Sequence, residues 1–159
     1  YSGVGVLGSM GPFFAEAQLN QDLLPVQLPF TYAHEFSHLL GVSNEAEANY
    51  WAYRACTESD IQTMRYSGYM GLLPYVLSNA SSLLTKEQFQ ELVRAIRPEI
   101  IASYNENRNY WKERYSPMIG KVQEITYNLF LKGNQIPSGR KNYAEVISLL
   151  LSLQKENGE

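Results

Sequence analysis

Apolar and polar positions divide the chain into a short extended front and a long helical remainder. Residues 1–30 are rich in Gly, Pro and short apolar runs. Within them "GVGVLGSMG" and "FFAEAQLN" read as strand or extended segments separated by glycine turns. Pro25 and Pro29 keep "LLPVQLPF" out of a helix. Thr31 is then the predicted N-cap of a helix from about Tyr32 to Leu40, and Gly41 its stop signal. Ser43 is the predicted cap of the next helix, about Asn44 to Thr57.

Beyond that helix the pattern stays helical to the end. "GYMGLLPYVLSNA" is apolar and predicts a buried helix kinked at Pro74. "TKEQFQELVRAI" opens with a capping-box pattern, Thr85 as cap and Gln88 at the third helical position. Pro98 to about Lys132 predicts one or two helices broken near Ser116-Pro117. "KGNQIPSGRKN" reads as a loop, and "YAEVISLLLSLQK" as a final amphipathic helix. No internal repeat or second domain boundary stands out. The expectation is one α+β, mostly helical domain over residues 1–159: a short N-terminal strand region followed by a helical bundle.

Composition narrows the function classes. A length of 159 residues suits one domain with a sizeable core. The net charge is −3, and Lys and Arg form no strong patch, which argues against a nucleic-acid partner. The single cysteine, Cys56, cannot form an intrachain disulfide and reads as a small buried apolar group. No apolar run is long enough to span a bilayer. The chain starts at Tyr1 rather than Met, which reads as a processed protein or an excised domain and leaves open a membrane segment in its parent.

The chemistry concentrates in "FTYAHEFSHLLGVSNEAEANYWAYRAC". Both histidines of the chain, His34 and His38, stand four residues apart. On a helix that spacing puts two imidazoles on one face, with Cβ atoms about 5–6 Å apart. Both can then reach one ion at about 2.0–2.1 Å, the distance zinc prefers. Glu35 projects from an adjacent line of the helix, suited to act on a water rather than to ligate. His34-Glu35-Phe36-Ser37-His38 is thus the HExxH pattern of zinc hydrolases.

A catalytic zinc needs a third ligand and an open position. Glu45 and Glu47 are the candidates, and about 200° of helical rotation separates them. Glu45 shares its side with the small or slender residues Ala48, Asn49, Ala52 and Cys56, which let its helix lie close to another. Glu47 shares its side with Trp51 and Arg54. Glu45 is therefore the expected third ligand of one zinc ion, and Glu47 a surface or supporting group. Asn49 either orients a ligand or packs. Tyr66, Tyr69 and Arg65 are candidate oxyanion donors by composition; the alternative for both tyrosines is packing. Glu16 and Asn20 either line the cleft or lie on a solvated strand face.

HExxH followed by Glu-x-x-Ala-Asn (Glu45 to Asn49) resembles the gluzincin type of zinc metallopeptidase. The wider chain, by "RYSGYM" and "NLFLKGNQIPSGRKNYAEVISLLLSL" as well, resembles an uncharacterised bacterial family of zinc-metallopeptidase type. The resemblance implies a zincin-like fold and peptide hydrolysis, with Glu35 as general base. It also implies a longer, membrane-anchored bacterial protein of which this domain is the soluble part. Peptide or protein substrates are the expected partners, and "FFAEAQLN" an edge to which they add as a strand. Gly41 also matches a metzincin pattern, but Asn44 stands where that pattern requires its third histidine. The gap before Glu45 is shorter than in better-studied gluzincins. The competing expectations are a non-proteolytic zinc-binding module that recognises a peptide or cell-envelope partner, and a helical interaction domain without metal.

Overall fold

The computed structural model describes residues 7–11, 16–114 and 145–156. Two strands open it: β1 (Gly8–Gly11) and β2 (Glu16–Leu19). They pair antiparallel in the register Gly8↔Leu19 to Gly11↔Glu16. Six helices follow among the described residues: α1 (Leu28–Leu39), α2 (Glu45–Thr57), α3 (Gln62–Leu83), α4 (Lys86–Ala95), α5 (Pro98–Arg114) and α6 (Glu145–Glu156). The architecture is α+β and mostly helical, as the hydrophobic pattern predicts. The expected break at Ser116-Pro117, the "KGNQIPSGRKN" loop and the stretch to Lys132 lie outside the described residues.

Helix α1 starts four residues earlier than Thr31 and the two prolines suggest. Pro29 lies in its first turn, where a missing N–H removes no helical bond and the fixed φ favours the helix. Thr31 is a buried helical residue, and its N–H already donates to Gln27 O at 3.0 Å. The α2 cap is Asn44 rather than Ser43. Asn44 Oδ1 accepts from the Ala46 and Glu47 N–H groups at 2.8 and 3.0 Å. At α4 the capping box forms as expected, Thr85 and Gln88 bonding each other's backbone. Helix α3 runs through Pro74 and begins at Gln62, so Tyr66 and Tyr69 are helical residues. Its start is set by a turn in which Arg65 Nη1 donates to Ser59 O and Ile61 N to Ser59 Oγ.

Helix α2 is the centre of the packing and touches α1, α3 and α6. Its side made of Ala46, Ala48, Asn49, Ala52 and Cys56 is buried. Phe30 of α1 meets Ala52 and Cys56 in one apolar cluster; Ala46, Tyr50, Leu72 and Val146 form another. Small residues on α3 permit the close approach. A Cβ on Gly68 would lie 2.8 Å from Cys56 Cβ, and one on Gly71 would run into the Phe30 ring. The β1–β2 hairpin lies on α1. Helix α5 ties down the segment leading into α1: Tyr110 Oη donates to Asp22 O, and Trp111 Nε1 to Gln27 Oε1, both at 2.8 Å.

Candidate metal centre

The turn between α1 and α2 builds half of the site. Gly41 takes φ 98°, the left-handed region that favours glycine. Around it Gly41 N–H donates to His38 O and Val42 N–H to Ser37 O, the paired bonds of a Schellman turn. That turn brings the Val42 carbonyl to the His38 ring, and Nδ1 donates to it at 2.6 Å. A carbonyl can only accept, so Nδ1 carries the proton and Nε2 is the nitrogen left to serve as a ligand.

His34 and His38 then stand edge to face, 4.8 Å between centroids, with their Nε2 atoms 3.2 Å apart. Glu45, the first residue of α2, reaches back between them. Its Oε2 is 3.2 Å from His34 Nε2, and its Oε1 is 3.7 Å from His38 Nε2. A carboxylate at a helix N-terminus is also favoured by the backbone dipole. Glu47, two residues on, is exposed and outside the group. Among the described residues these three are the cluster of His, Cys, Asp and Glu whose donor atoms all lie within 4.8 Å of one another.

The donor spacing can be tested against zinc. Two ligand atoms about 2.0–2.1 Å from one tetrahedral zinc lie about 3.3 Å apart. The 3.2 Å between the two Nε2 atoms and the 3.2 Å from His34 Nε2 to Glu45 Oε2 lie close to that value, and His38 Nε2 is 3.7 Å from the other carboxylate oxygen, Oε1. Two nitrogens and one carboxylate oxygen are also the donor types of catalytic zinc sites. The residues present therefore fit a zinc ion.

Electrostatics reflect this crowding. Burial pushes the Glu45 carboxyl up, but its polar contacts with His34 and His38 outweigh it and hold its pKa at about 2. The same contact with Glu45 raises the His38 pKa against burial, with help from the Val42 carbonyl. Glu35 is 6% exposed. Burial raises its pKa, and the nearby histidines offset part of the rise. Its roof is β1, because a Cβ on Gly8 would lie 2.8 Å from both Glu35 Cγ and Oε1. His34 Nδ1 is buried without a hydrogen-bond partner among the described residues.

The other candidates are placed as follows. Asn49 is 1% exposed. Its Nδ2 forms no hydrogen bond of normal geometry among the described residues, yet it lies close enough to the Tyr75 phenol to counter some of the burial that raises that group's pKa. Glu45 acts on the same phenol, which puts Tyr75 of α3 near the cluster, a neighbour that sequence reasoning missed. Tyr66 and Tyr69 are exposed, and the ring contact of Tyr69 is with Tyr53. Arg65 is engaged in the α2–α3 turn. Cys56 is fully buried, and burial raises its thiol to about 11. Glu16 is exposed, while Asn20 is buried and closes a turn by accepting from Asp22 N–H at 3.0 Å. The described half of "FFAEAQLN" is β2, already paired with β1 along one edge.

Sequence reasoning also missed Ser67. Its buried Oγ accepts the Phe30 N–H of α1 at 3.1 Å, satisfying a first-turn donor of the histidine helix from another helix. The "RYSGYM" stretch thus contributes its serine to holding α1 and its glycine to the close contact with α2.

Fold and cluster together define a mostly helical α+β protein in which two histidines and one glutamate lie close enough to hold a metal ion. The chain belongs to the family described as "Protein of unknown function (DUF3810)", which it matches over residues 1–151. No curated protein and no solved structure matches it. No helix among the described residues is long and apolar enough to cross a membrane.

Proposed function

We propose that the protein is a zinc-dependent peptidase of the gluzincin kind, on a zincin-like arrangement of hairpin and helices. The observation that carries this reading is the convergence of His34 and His38 from α1 with Glu45 from α2, at separations suited to one zinc, beside a buried Glu35. Bound there, zinc would polarise a carbonyl and acidify a water, the two services such an ion supplies to hydrolysis.

The chain's own residues do the rest. Glu35, whose pKa is raised by burial, takes a proton from the attacking water and returns it to the leaving amine. His38 is held in register by Val42, and Glu45 completes the charge balance. Tyr66 and Tyr69 are proposed donors to the developing oxyanion, to be tested by Phe substitution. A peptide substrate would add as a strand to an edge of the hairpin.

The test is a peptide-library cleavage assay on protein purified without added metal. The expected outcome is cleavage that chelation removes and zinc restores. Glu35→Gln is expected to keep zinc and lose cleavage. Zinc bound in stoichiometric amount with no cleavage of any peptide would favour the non-proteolytic module.

A further inference from the structure

Gly8 is the point where the hairpin meets the proposed base. It stands in β1 with a backbone that other residues also adopt, so conformational freedom does not explain the glycine. Space does: a Cβ there would lie 2.8 Å from Glu35 Cγ, 2.8 Å from Oε1 and 3.0 Å from Cδ. Real Cβ contacts are longer, so a side chain at position 8 requires something to move.

The strand is poorly placed to move. Asn20 N–H donates to Leu7 O at 2.8 Å, continuing the ladder that pairs Gly8 with Leu19. Asn20 is 3% exposed and accepts from Asp22 N–H, while the Asp22 carbonyl accepts from Tyr110 of α5. Helix α1 is equally held, by the Ser67 bond at its start and the Schellman turn at its end. Between two fixed backbones the soft member is the Glu35 side chain.

We propose that Gly8 is a positioning residue for Glu35: the bare backbone of β1 is the surface on which the Glu35 carboxylate rests, and any side chain at position 8 displaces it from the histidine–glutamate cluster. The catalytic consequence rests on the peptidase reading; the contact itself does not.

The experiment is a double-mutant cycle of Gly8→Ala with Glu35→Ala, read by thermal unfolding and zinc content, with steady-state kinetics on the Gly8→Ala single variant. In the wild-type background Gly8→Ala is expected to lower the midpoint by about 3 °C or more, as overpacking does. In the Glu35→Ala background, where Cγ is gone, the loss is expected to shrink to within about 1 °C. Zinc content is expected to stay at about one per chain. The kinetic signature is a fall in kcat of about 100-fold, the lower end of what a positioned general base contributes. KM should stay within about twofold of wild type.

Equal losses in both backgrounds would overturn the proposal, as would wild-type kcat in Gly8→Ala. If Gly8→Ala folds only when Glu35 is truncated, the proposal is supported; if it folds in neither background, it is overturned. Should the wild-type protein cleave nothing, the peptidase reading fails and the thermal cycle still decides the contact.

Discussion

The two helices that carry the cluster are held in opposite ways. Helix α2 caps itself: Asn44 accepts two of its first-turn N–H groups from the residue next to Glu45. Helix α1 has no side-chain cap at its own start. Its first turn depends on Ser67 of α3, on Phe30 seated over Gly71, and on Gln27 tied to Trp111 of α5. The glutamate and the end of the histidine helix are thus placed by local chemistry, and the start of that helix by tertiary contacts.

That contrast can be broken in stages. The largest effect is expected from Gly71→Ala, which drives a methyl into the Phe30 ring and should cost about 1–3 kcal/mol. Urea unfolding of the metal-free protein measures this. The same variant should weaken zinc binding, because both imidazoles ride on α1. Ser67→Ala should follow, leaving the Phe30 N–H buried and unpaired at a cost of about 1–3 kcal/mol, toward the lower end where the helix can shift. Asn44→Ala should be mildest, about 1 kcal/mol for a lost cap, with Asn44→Gly recovering most of it. If Asn44→Ala exceeded both α3 variants, the division into a locally and a remotely held helix would be wrong.

Acidity sharpens the comparison. The lowered Glu45 pKa contributes stability that is present above the ordinary value of 4.5 and is lost as pH falls toward about 2. The raised His38 pKa contributes stability that is full below 6.5 and is lost as pH rises through its higher folded value. The raised Glu35 pKa acts in the same direction, removing stability as pH climbs past 4.5. The metal-free protein should therefore weaken from mildly acidic to alkaline pH. Zinc needs the deprotonated His38 Nε2, so its binding strengthens as pH rises. The gap between zinc-loaded and metal-free melting temperatures should widen across that interval. A gap that is flat or narrows with pH would contradict the electrostatic coupling between His38 and Glu45.

Legibility from sequence follows the same division. The paired histidines, the Gly41 stop and the choice of Glu45 over Glu47 were readable because each depends on spacing within a turn or two. The small residues beside Glu45 announced which side of α2 would be buried. The α2 cap was missed by one residue, since Ser43 and Asn44 carry equivalent chemistry side by side. The start of α1 was missed because its capping oxygen, on Ser67, is 37 residues away and a proline in a first turn looks like a breaker from outside. In "RYSGYM" the tyrosines draw the eye as candidate donors, while the packing falls to Ser67 and Gly68, whose partners lie on other helices. Gly8 reads from sequence only as one of several glycines in an extended stretch, although β1 approaches Glu35 closely there. Nothing local said that Glu35 was the group approached.

The central claim is most directly tested by zinc X-ray absorption on protein purified without added metal, alongside Glu45→Ala and Glu47→Ala. The account predicts about one zinc per chain, bound by two imidazole nitrogens and a carboxylate oxygen at about 2.0–2.2 Å. That shell should be lost or altered in Glu45→Ala and unchanged in Glu47→Ala. Protein without stoichiometric zinc, or a shell that persists intact without Glu45, would contradict it.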